Sequence, residues 1–408
     1  MAEQDRPRGG RRLLAALGVL MAVAAVALLV IQPFEDSSGG GSVPEAGSRF
    51  RDGEGTDPAA RGTDPSTSLL EALSPVLGGG QTPSAGMPVE RAVAQLFAVG
   101  FEGQTPPRGL VRRMRTRAWG FVTVGRANYG SPSQMRDIVD GLERAARRGG
   151  QTPPLVAADP DALGRLGPPP APQIGLDGTP AEARSEAAAA ARRLREAHVR
   201  MVLGPSADLR VGGGPAEGRA FSDDPREASG FVAAAVKGWK EARVVVAPGR
   251  FPGEGGASQD PLFGAATVGL SVDELRRRDL QPFAAAVLAG ADAVQMSAAL
   301  YAAWDGVTPA TVLPDAVRLL HDATKFDGVV MSADLVAATA ATGGGVARAA
   351  VEAVKAGCDL LVVAGGHDEQ EAAYRAVLGA VRRREIPQER YLEAVGRVAA
   401  LKKAAQAK

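Results

Sequence analysis

Five carboxylates stand where a folded chain could use them for chemistry, either at the end of a short apolar run or in the glycine-rich stretch that follows one: Asp159, Asp208, Glu254, Asp260 and Asp334. A carboxylate can act as an acid, a base or a nucleophile, and it makes charge-assisted hydrogen bonds with hydroxyl groups. Burial can raise the pKa of a glutamate until it serves as an acid. Glu254 is flanked by glycines, however, and we expect its side chain to be solvated.

The elements that must position these residues are short apolar runs that alternate with longer stretches rich in Ala, Arg and Glu. The apolar runs predict seven strands: Gly120–Val124, Pro154–Ala158, Val199–Gly204, Arg243–Ala247, Ala293–Ser297, Gly328–Ser332 and Leu360–Ala364. The stretches between them predict helices, among them Pro180–Glu196, Asp224–Glu241, Val272–Ala289 and Gly345–Ala356. Repeated strand–helix units imply parallel strands with right-handed crossovers.

A single (β/α)8 barrel fits this pattern better than two doubly wound sheets. The glycine-rich phosphate loops of nucleotide-binding folds do not follow the first predicted strand or any other. We therefore predict an α/β fold of the TIM-barrel type. In such a barrel the chemistry lies at the carboxyl ends of the strands.

Composition excludes several classes of function. The 408 residues carry a net charge of +1 and only 4% aromatic residues, so nucleic acid is not an expected partner. Cys358 is the only cysteine, which rules out an intramolecular disulfide and a cysteine-based metal site. The three histidines are scattered, and we expect neither a metal nor a cofactor.

The amino-terminal region predicts a membrane anchor. Residues 13–31 contain no polar side chain, and this length spans a bilayer core of about 30 Å. Four arginines in residues 1–12 predict that this segment is cytoplasmic and that the folded domain is extracytoplasmic; a cleaved signal peptide is the alternative. Residues 35–67 read as a flexible linker, and the barrel is predicted over residues 87–405.

Several segments, in the same order, resemble the N-terminal catalytic domain of glycoside hydrolase family 3, of the single-domain β-N-acetylhexosaminidase type: Gln95–Phe101, Gly218–Phe221, Arg250–Gly253, Arg278–Phe283 and Phe326–Ser332. The resemblance runs from about residue 89 to residue 400. It implies a (β/α)8 barrel that binds β-linked N-acetylglucosamine-type glycan. It also implies retaining hydrolysis, which needs a carboxylate nucleophile and a nearby acid/base.

The chain departs from the family pattern where the chemistry is done. The position that corresponds to the nucleophile is Ala333, and Glu254 corresponds to the acid/base histidine. Gly249 and Arg250 stand where the family has Lys and His, whereas Asp260 matches the Asp that assists the acid/base. A methyl group cannot form a glycosyl ester, and loss of a nucleophile costs many orders of magnitude in rate. The resemblance therefore implies a catalytically lapsed member.

Three carboxylates remain as candidates for a catalytic role: Glu254, Asp260 and Asp334. Asp334 directly follows the position of the missing nucleophile, but successive side chains of a strand face opposite ways. We therefore expect Asp334 to point away from the sugar site unless the strand bulges there. Leu262 and Ala298 take the places of two further family histidines.

The resemblance also assigns residues that hold a sugar without cutting it. Asp159 matches a carboxylate that accepts hydrogen bonds from sugar hydroxyls, and Arg165 and Arg219 match arginines of the same pocket. The alternatives are structural: Asp159 pairs with Arg165, and Arg219 pairs with Asp223 or Asp224.

Three functions remain open at this point. The first is a lapsed family 3 protein that binds cell-wall amino-sugar glycan at the outer face of the cytoplasmic membrane. The second is an active β-N-acetylhexosaminidase that uses other residues for hydrolysis of O-glycosyl bonds. The third is a protein-interaction scaffold whose barrel pocket is vestigial.

Overall fold

The computed structural model describes residues 87–159, 163–340 and 342–406. Within them lie eleven strands, numbered in chain order: β1 (Phe97–Val99), β2 (Phe121–Val124), β3 (Leu155–Ala158), β4 (Met201–Val202), β5 (Val245–Val246), β6 (Gly249–Phe251), β7 (Thr267–Val268), β8 (Ala293–Met296), β9 (Leu300–Tyr301), β10 (Val329–Asp334) and β11 (Leu360–Val363). Nine of them form one parallel sheet, and β7 pairs with β9 in a small second sheet.

The large sheet curls until its two ends meet. Its order is β5-β4-β3-β2-β1-β11-β10-β8-β6. The end strands β5 and β6 are separated by only two residues of the chain, and Gly249 of β6 forms a parallel bridge with Ser206 beyond β4. Together β5 and β6 thus act as one interrupted strand that completes eight strand positions. The domain has a (β/α)8-like fold with a curled parallel sheet, as the alternating pattern predicts.

The described part of the chain also contains thirteen α-helices: α1 (Val89–Gln95), α2 (Arg108–Thr116), α3 (Pro132–Arg148), α4 (Ala171–Asp177), α5 (Pro180–Glu196), α6 (Pro225–Glu241), α7 (Val272–Arg277), α8 (Leu280–Leu288), α9 (Pro314–Thr324), α10 (Leu335–Ala340), α11 (Val346–Ala356), α12 (His367–Arg382) and α13 (Gln388–Gln406). Several begin at a side chain that accepts a backbone N–H, which satisfies a free donor of the first turn. Ser131, Thr179 and Asp224 do this for α3, α5 and α6, and each is followed by a proline at the first helical position.

All seven predicted strands are confirmed, but four short strands, β1, β6, β7 and β9, were missed. β1 is only three residues long, too short for its apolar run to be separated from the helix before it. The helix predicted over Val272–Ala289 is wrong in one respect, because it is two helices, α7 and α8. Arg278 has φ −127° and ψ −77°, so the chain leaves the helical conformation there and starts again after Asp279.

The core lies between the sheet and the surrounding helices. The strand residues of β1, β3 and β11 are buried throughout, as expected for parallel strands covered on both faces. Cys358 is also buried. No helix in the described residues is long and apolar enough to span a membrane. The predicted anchor at residues 13–31 and the linker at 35–67 lie outside the described residues.

Candidate functional site

A cavity of about 840 Å³ opens at the carboxyl ends of the barrel strands. Every carboxylate singled out from the sequence lines it: Asp159, Asp208, Glu254, Asp260 and Asp334. Arg126, Arg219 and Arg250 line it as well, as do Ala298 and Ala333. The structure therefore brings together residues that are up to 175 positions apart (334 − 159). Arg165, the remaining candidate, has a side chain outside the described part of the structure.

Glu254 lies at the bottom of this charged group and is only 1% exposed. Its Oε1 accepts hydrogen bonds from Ser297 Oγ at 2.8 Å and from the Ala298 N–H at 3.2 Å. Its Oε2 lies 3.2 Å from Arg250 Nη1 and 3.4 Å from Arg219 Nη2. Burial raises the pKa of this carboxyl, against the opposing effect of Arg250. The expectation of a solvated Glu254 is wrong.

The glycines around Glu254 explain this difference. A Cβ on Gly255 would lie 2.0 Å from the carbonyl oxygen of Leu209, so the loop after β6 packs directly against the segment after β4. Gly253 has φ +120°, a conformation that side-chain-bearing residues avoid. The glycines serve close packing rather than exposure, and they carry Glu254 into the interior.

Arg219 links three carboxylates. Its Nη1 lies 3.3 Å from Asp260 Oδ2, its Nη2 contacts Glu254, and its Nε lies 3.6 Å from Asp208 Oδ2. The alternative pairing of Arg219 with Asp223 or Asp224 is not observed: Asp223 pairs with Arg210, and Asp224 caps α6. The guanidinium thus lines the cavity.

Asp208 and Arg250 belong to the same group, although neither was assigned a catalytic or sugar-binding role from the sequence. Asp208 accepts hydrogen bonds from the Glu254 N–H at 2.7 Å and from Ser206 Oγ at 3.0 Å. Burial acts to lower the pKa of Arg250, but the carboxylates of Glu254, Asp208, Asp260 and Asp159 raise it overall. Their positions in the sequence could have indicated a place in the site, because Asp208 follows a predicted strand end and Arg250 precedes the glycine-rich loop.

The end of β10 differs from the expected alternation of side chains. Its pairing with β11 joins Met331 to Leu360 but Asp334 to Val362, which places one extra residue in β10. This is a β-bulge, and it brings both Ala333 and Asp334 to the cavity. The expectation that Asp334 points away from the site is therefore wrong.

The carboxylate of Asp334 is held by the backbone. Its Oδ1 accepts hydrogen bonds from the Ala364 N–H at 3.1 Å and the Val336 N–H at 3.2 Å. Burial raises its pKa. Beside it, Ala333 presents a methyl group at the position where the family resemblance places the nucleophile.

The carboxylates that line the cavity are of two kinds: buried ones, such as Glu254 and Asp208, and partly exposed ones, such as Asp159. Glu254 and Asp208 are enclosed by arginines and by hydrogen-bond donors, and their main effect is to orient Arg219 and Arg250. Asp159 follows β3, and its N–H donates to the carbonyl of Val124. Carboxylates and guanidinium groups arranged around an open space are suited to bind a ligand rich in hydroxyl groups.

Comparison with known proteins identifies the family of the chain. Residues 89–401 match the family of the glycosyl hydrolase family 3 N terminal domain. A β-hexosaminidase of Methylococcus capsulatus is 34% identical over 113 residues, which are 28% of this chain and 34% of that protein. One from Stenotrophomonas maltophilia is 37% identical over 114 residues, again 34% of its length. The chain thus matches about a third of the length of these curated relatives.

Solved structures show the same fold. A glycoside hydrolase family 3 β-N-acetylglucosaminidase from Paenibacillus sp. superposes with a TM-score of 0.73 and 28% identity, over 78% of this chain and 63% of that one. A β-N-acetylhexosaminidase from Beutenbergia cavernae has a TM-score of 0.70 and 26% identity, over 78% of this chain and 99% of that one.

Proposed function

Because the chain belongs to the glycosyl hydrolase family 3 N-terminal domain family, we propose that its cavity binds glycans that carry a β-linked N-acetylhexosamine. The observation that carries this proposal is the group of charged side chains at the carboxyl ends of the strands, with Asp159, Arg219 and Arg250 around one open cavity. The similarity to proteins named β-hexosaminidase supports the choice of sugar.

The proposal includes the loss of hydrolysis by double displacement. This reaction needs a nucleophilic carboxylate and an acid/base about 5–5.5 Å apart where both are carboxylates. Ala333 cannot attack the anomeric carbon. Glu254 is enclosed between two arginines and two hydrogen-bond donors, so it is poorly placed to exchange a proton with a glycosidic oxygen. The side chains that hold a sugar are retained, whereas those that cut it are replaced.

A second candidate function is hydrolysis by other residues of the same cavity. One observation favours it: the bulge in β10 brings Asp334 to the cavity. The relatives also carry names of active enzymes. In this case Asp334 would be the nucleophile and Glu254 or Asp260 the proton donor.

One pair of measurements on the purified full chain in detergent separates these functions. The chain is incubated with 4-nitrophenyl N-acetyl-β-glucosaminide and titrated calorimetrically with N-acetylglucosamine and with chitobiose. Binding heat without release of nitrophenol supports the proposal. Release that disappears in Asp334→Asn supports the second candidate. If neither binding heat nor release of nitrophenol is observed, both candidate functions are contradicted. The protein-interaction scaffold with a vestigial pocket then remains, and for it Asp159→Ala should change no interaction with a glycan.

We also propose that residues 13–31 anchor the chain in the cell membrane and that the barrel lies on its extracytoplasmic side, near cell-wall glycan. The apolar run and the arginines before it support this placement. A membrane-impermeant lysine reagent applied to intact cells should label the barrel. A barrel that is labelled only after lysis would contradict the proposed orientation.

A further inference from the structure

The rim of the cavity carries an apolar surface that the sugar-binding residues do not explain. Five large hydrophobic side chains are exposed in the described residues: Leu176, Leu262, Phe263, Leu288 and Val307. Of these, only Leu262 and Phe263 are neighbours and line the cavity. Phe263 is 86% exposed and Leu262 is 54% exposed. Adjacent exposed apolar side chains beside a polar cavity commonly mark a binding surface.

The turn that displays these two side chains is anchored to the charged group below. Asp260 Oδ1 accepts the Leu262 N–H at 3.0 Å, and the Asp260 carbonyl accepts the Phe263 N–H at 3.0 Å. The other oxygen of the same carboxylate, Oδ2, faces Arg219. Farther along the loop, Gln259 Nε2 donates to the Ala265 carbonyl at 2.7 Å. The aromatic ring is therefore presented by an organised turn, at a fixed place relative to Arg219.

Two different surfaces thus follow one another from the inside of the cavity to its rim. The inner part offers carboxylates and guanidinium groups, which suit the hydroxyl groups of one sugar ring. The rim offers a flat aromatic side chain and a leucine, which suit the apolar C–H face of a second ring. The cavity volume of about 840 Å³ lies high in the range of about 300–1,000 Å³ that is usual for ligand sites, which favours a ligand larger than one ring.

We propose that Leu262 and Phe263 form a platform for the second ring of a β-linked oligosaccharide. The ligand is then an oligosaccharide of at least two rings, and a free amino sugar makes only part of the contacts. This inference rests on the proposed glycan binding, because the platform has a role only if the first ring occupies the charged part of the cavity.

The test is calorimetric titration of the full chain in detergent with N-acetylglucosamine and with chitobiose. We expect the unmodified chain to bind chitobiose at least about fivefold more tightly than N-acetylglucosamine. Phe263→Ala should abolish this advantage and leave the affinity for N-acetylglucosamine unchanged. Phe263→Tyr keeps the ring and should keep the advantage. Leu288→Ala removes an equally exposed side chain away from the cavity and should have no effect on either sugar.

The outcomes distinguish the two proposals. Equal affinities for the two sugars, or an advantage that survives in Phe263→Ala, overturn the platform but leave glycan binding in place. A loss of affinity for both sugars in Phe263→Ala also overturns it, because the ring would then act on the whole site. No binding of either sugar by the unmodified chain overturns both the platform and the proposed function.

Discussion

Two charged side chains, one buried at each end of the barrel, have partners of different kinds: Glu254 at the mouth, where the strands end, and Lys402 at the floor, where they begin. At the mouth, Glu254 faces Arg219 and Arg250. At the floor, Lys402 of α13 lies against the amino ends of the strands and donates to Gln95 Oε1 at 2.7 Å and to the Pro153 carbonyl at 3.1 Å. Both of these acceptors are neutral. Accordingly, burial lowers the pKa of Lys402 to about 7.

The difference shows which end gathers its charges around an open space. The mouth assembles opposite charges around a space, at the end of the barrel where binding and chemistry normally occur. At the floor the Lys402 ammonium group donates to two carbonyl-type oxygens, and the buried Asp359 before β11 pairs with Arg390 and Arg397 of α13. These contacts hold α13 against the sheet. Substitutions at the two ends should therefore differ in their effects, and three predictions test this comparison.

The largest expected effect is at the mouth. Glu254→Ala removes the buried carboxylate that Arg219 and Arg250 share and leaves Arg219 with Asp208 and Asp260. Breaking such a group costs about 3–5 kcal/mol in the free energy of unfolding. Urea denaturation measures the loss. Glu254→Gln keeps the acceptor for Ser297 and Ala298 and should cost less, because burial already disfavours the charged form of Glu254. A loss below about 1 kcal/mol in Glu254→Ala would mean that the mouth does not depend on paired charges.

At the floor, Lys402 should make the free energy of unfolding depend on pH. The pKa of Lys402 is lower in the folded chain than in the unfolded chain, so between pH 7 and about 10 the unfolded state binds more protons and stability rises with pH. Lys402→Met should reduce this rise in the free energy of unfolding by about 2 kcal/mol. This is less than the full value implied by the pKa shift, because the folded chain relaxes partly around the charged group. Denaturation at pH 7 and pH 10 measures it.

Lys403→Met is the control for the floor, because Lys403 is exposed on the same helix. It should leave the pH dependence as it is. If Lys402→Met and Lys403→Met behave alike, the charge of Lys402 is as well compensated as that of Glu254, and the comparison fails.

The smallest effect is expected from a substitution that adds a carboxylate to the mouth. Ala333→Asp restores a nucleophile beside an arginine-rich cavity, and a nitrophenolate leaving group needs no proton from an acid. We expect a burst of nitrophenol from 4-nitrophenyl N-acetyl-β-glucosaminide at least about tenfold faster than in the unmodified chain, or about 1.4 kcal/mol. Ala333→Asn has the same size without the nucleophile and should show no burst. Equal rates in the two variants would contradict the assignment of position 333.

Much of the architecture could be predicted from the chain alone. Apolar runs of four or more residues identified seven strands, because a parallel strand buried on both faces is apolar at every position. β1, β6, β7 and β9 were missed because two or three residues carry too little pattern. The break at Arg278 was missed because most of the residues around it are good helix formers. The candidates Asp159, Glu254, Asp260 and Asp334 do meet at one cavity, since a barrel gathers its strand ends on one side.

The sequence by itself determined the order of the elements and the chemical types of the residues at the strand ends, because both follow from local patterns of side chains. The tertiary structure alone decided how those residues are used. Glu254 is buried because Gly255 lets its loop approach the carbonyl of Leu209, and Asp334 reaches the cavity because β10 gains one residue against β11. Both depend on contacts between segments distant in the sequence, which no local pattern contains.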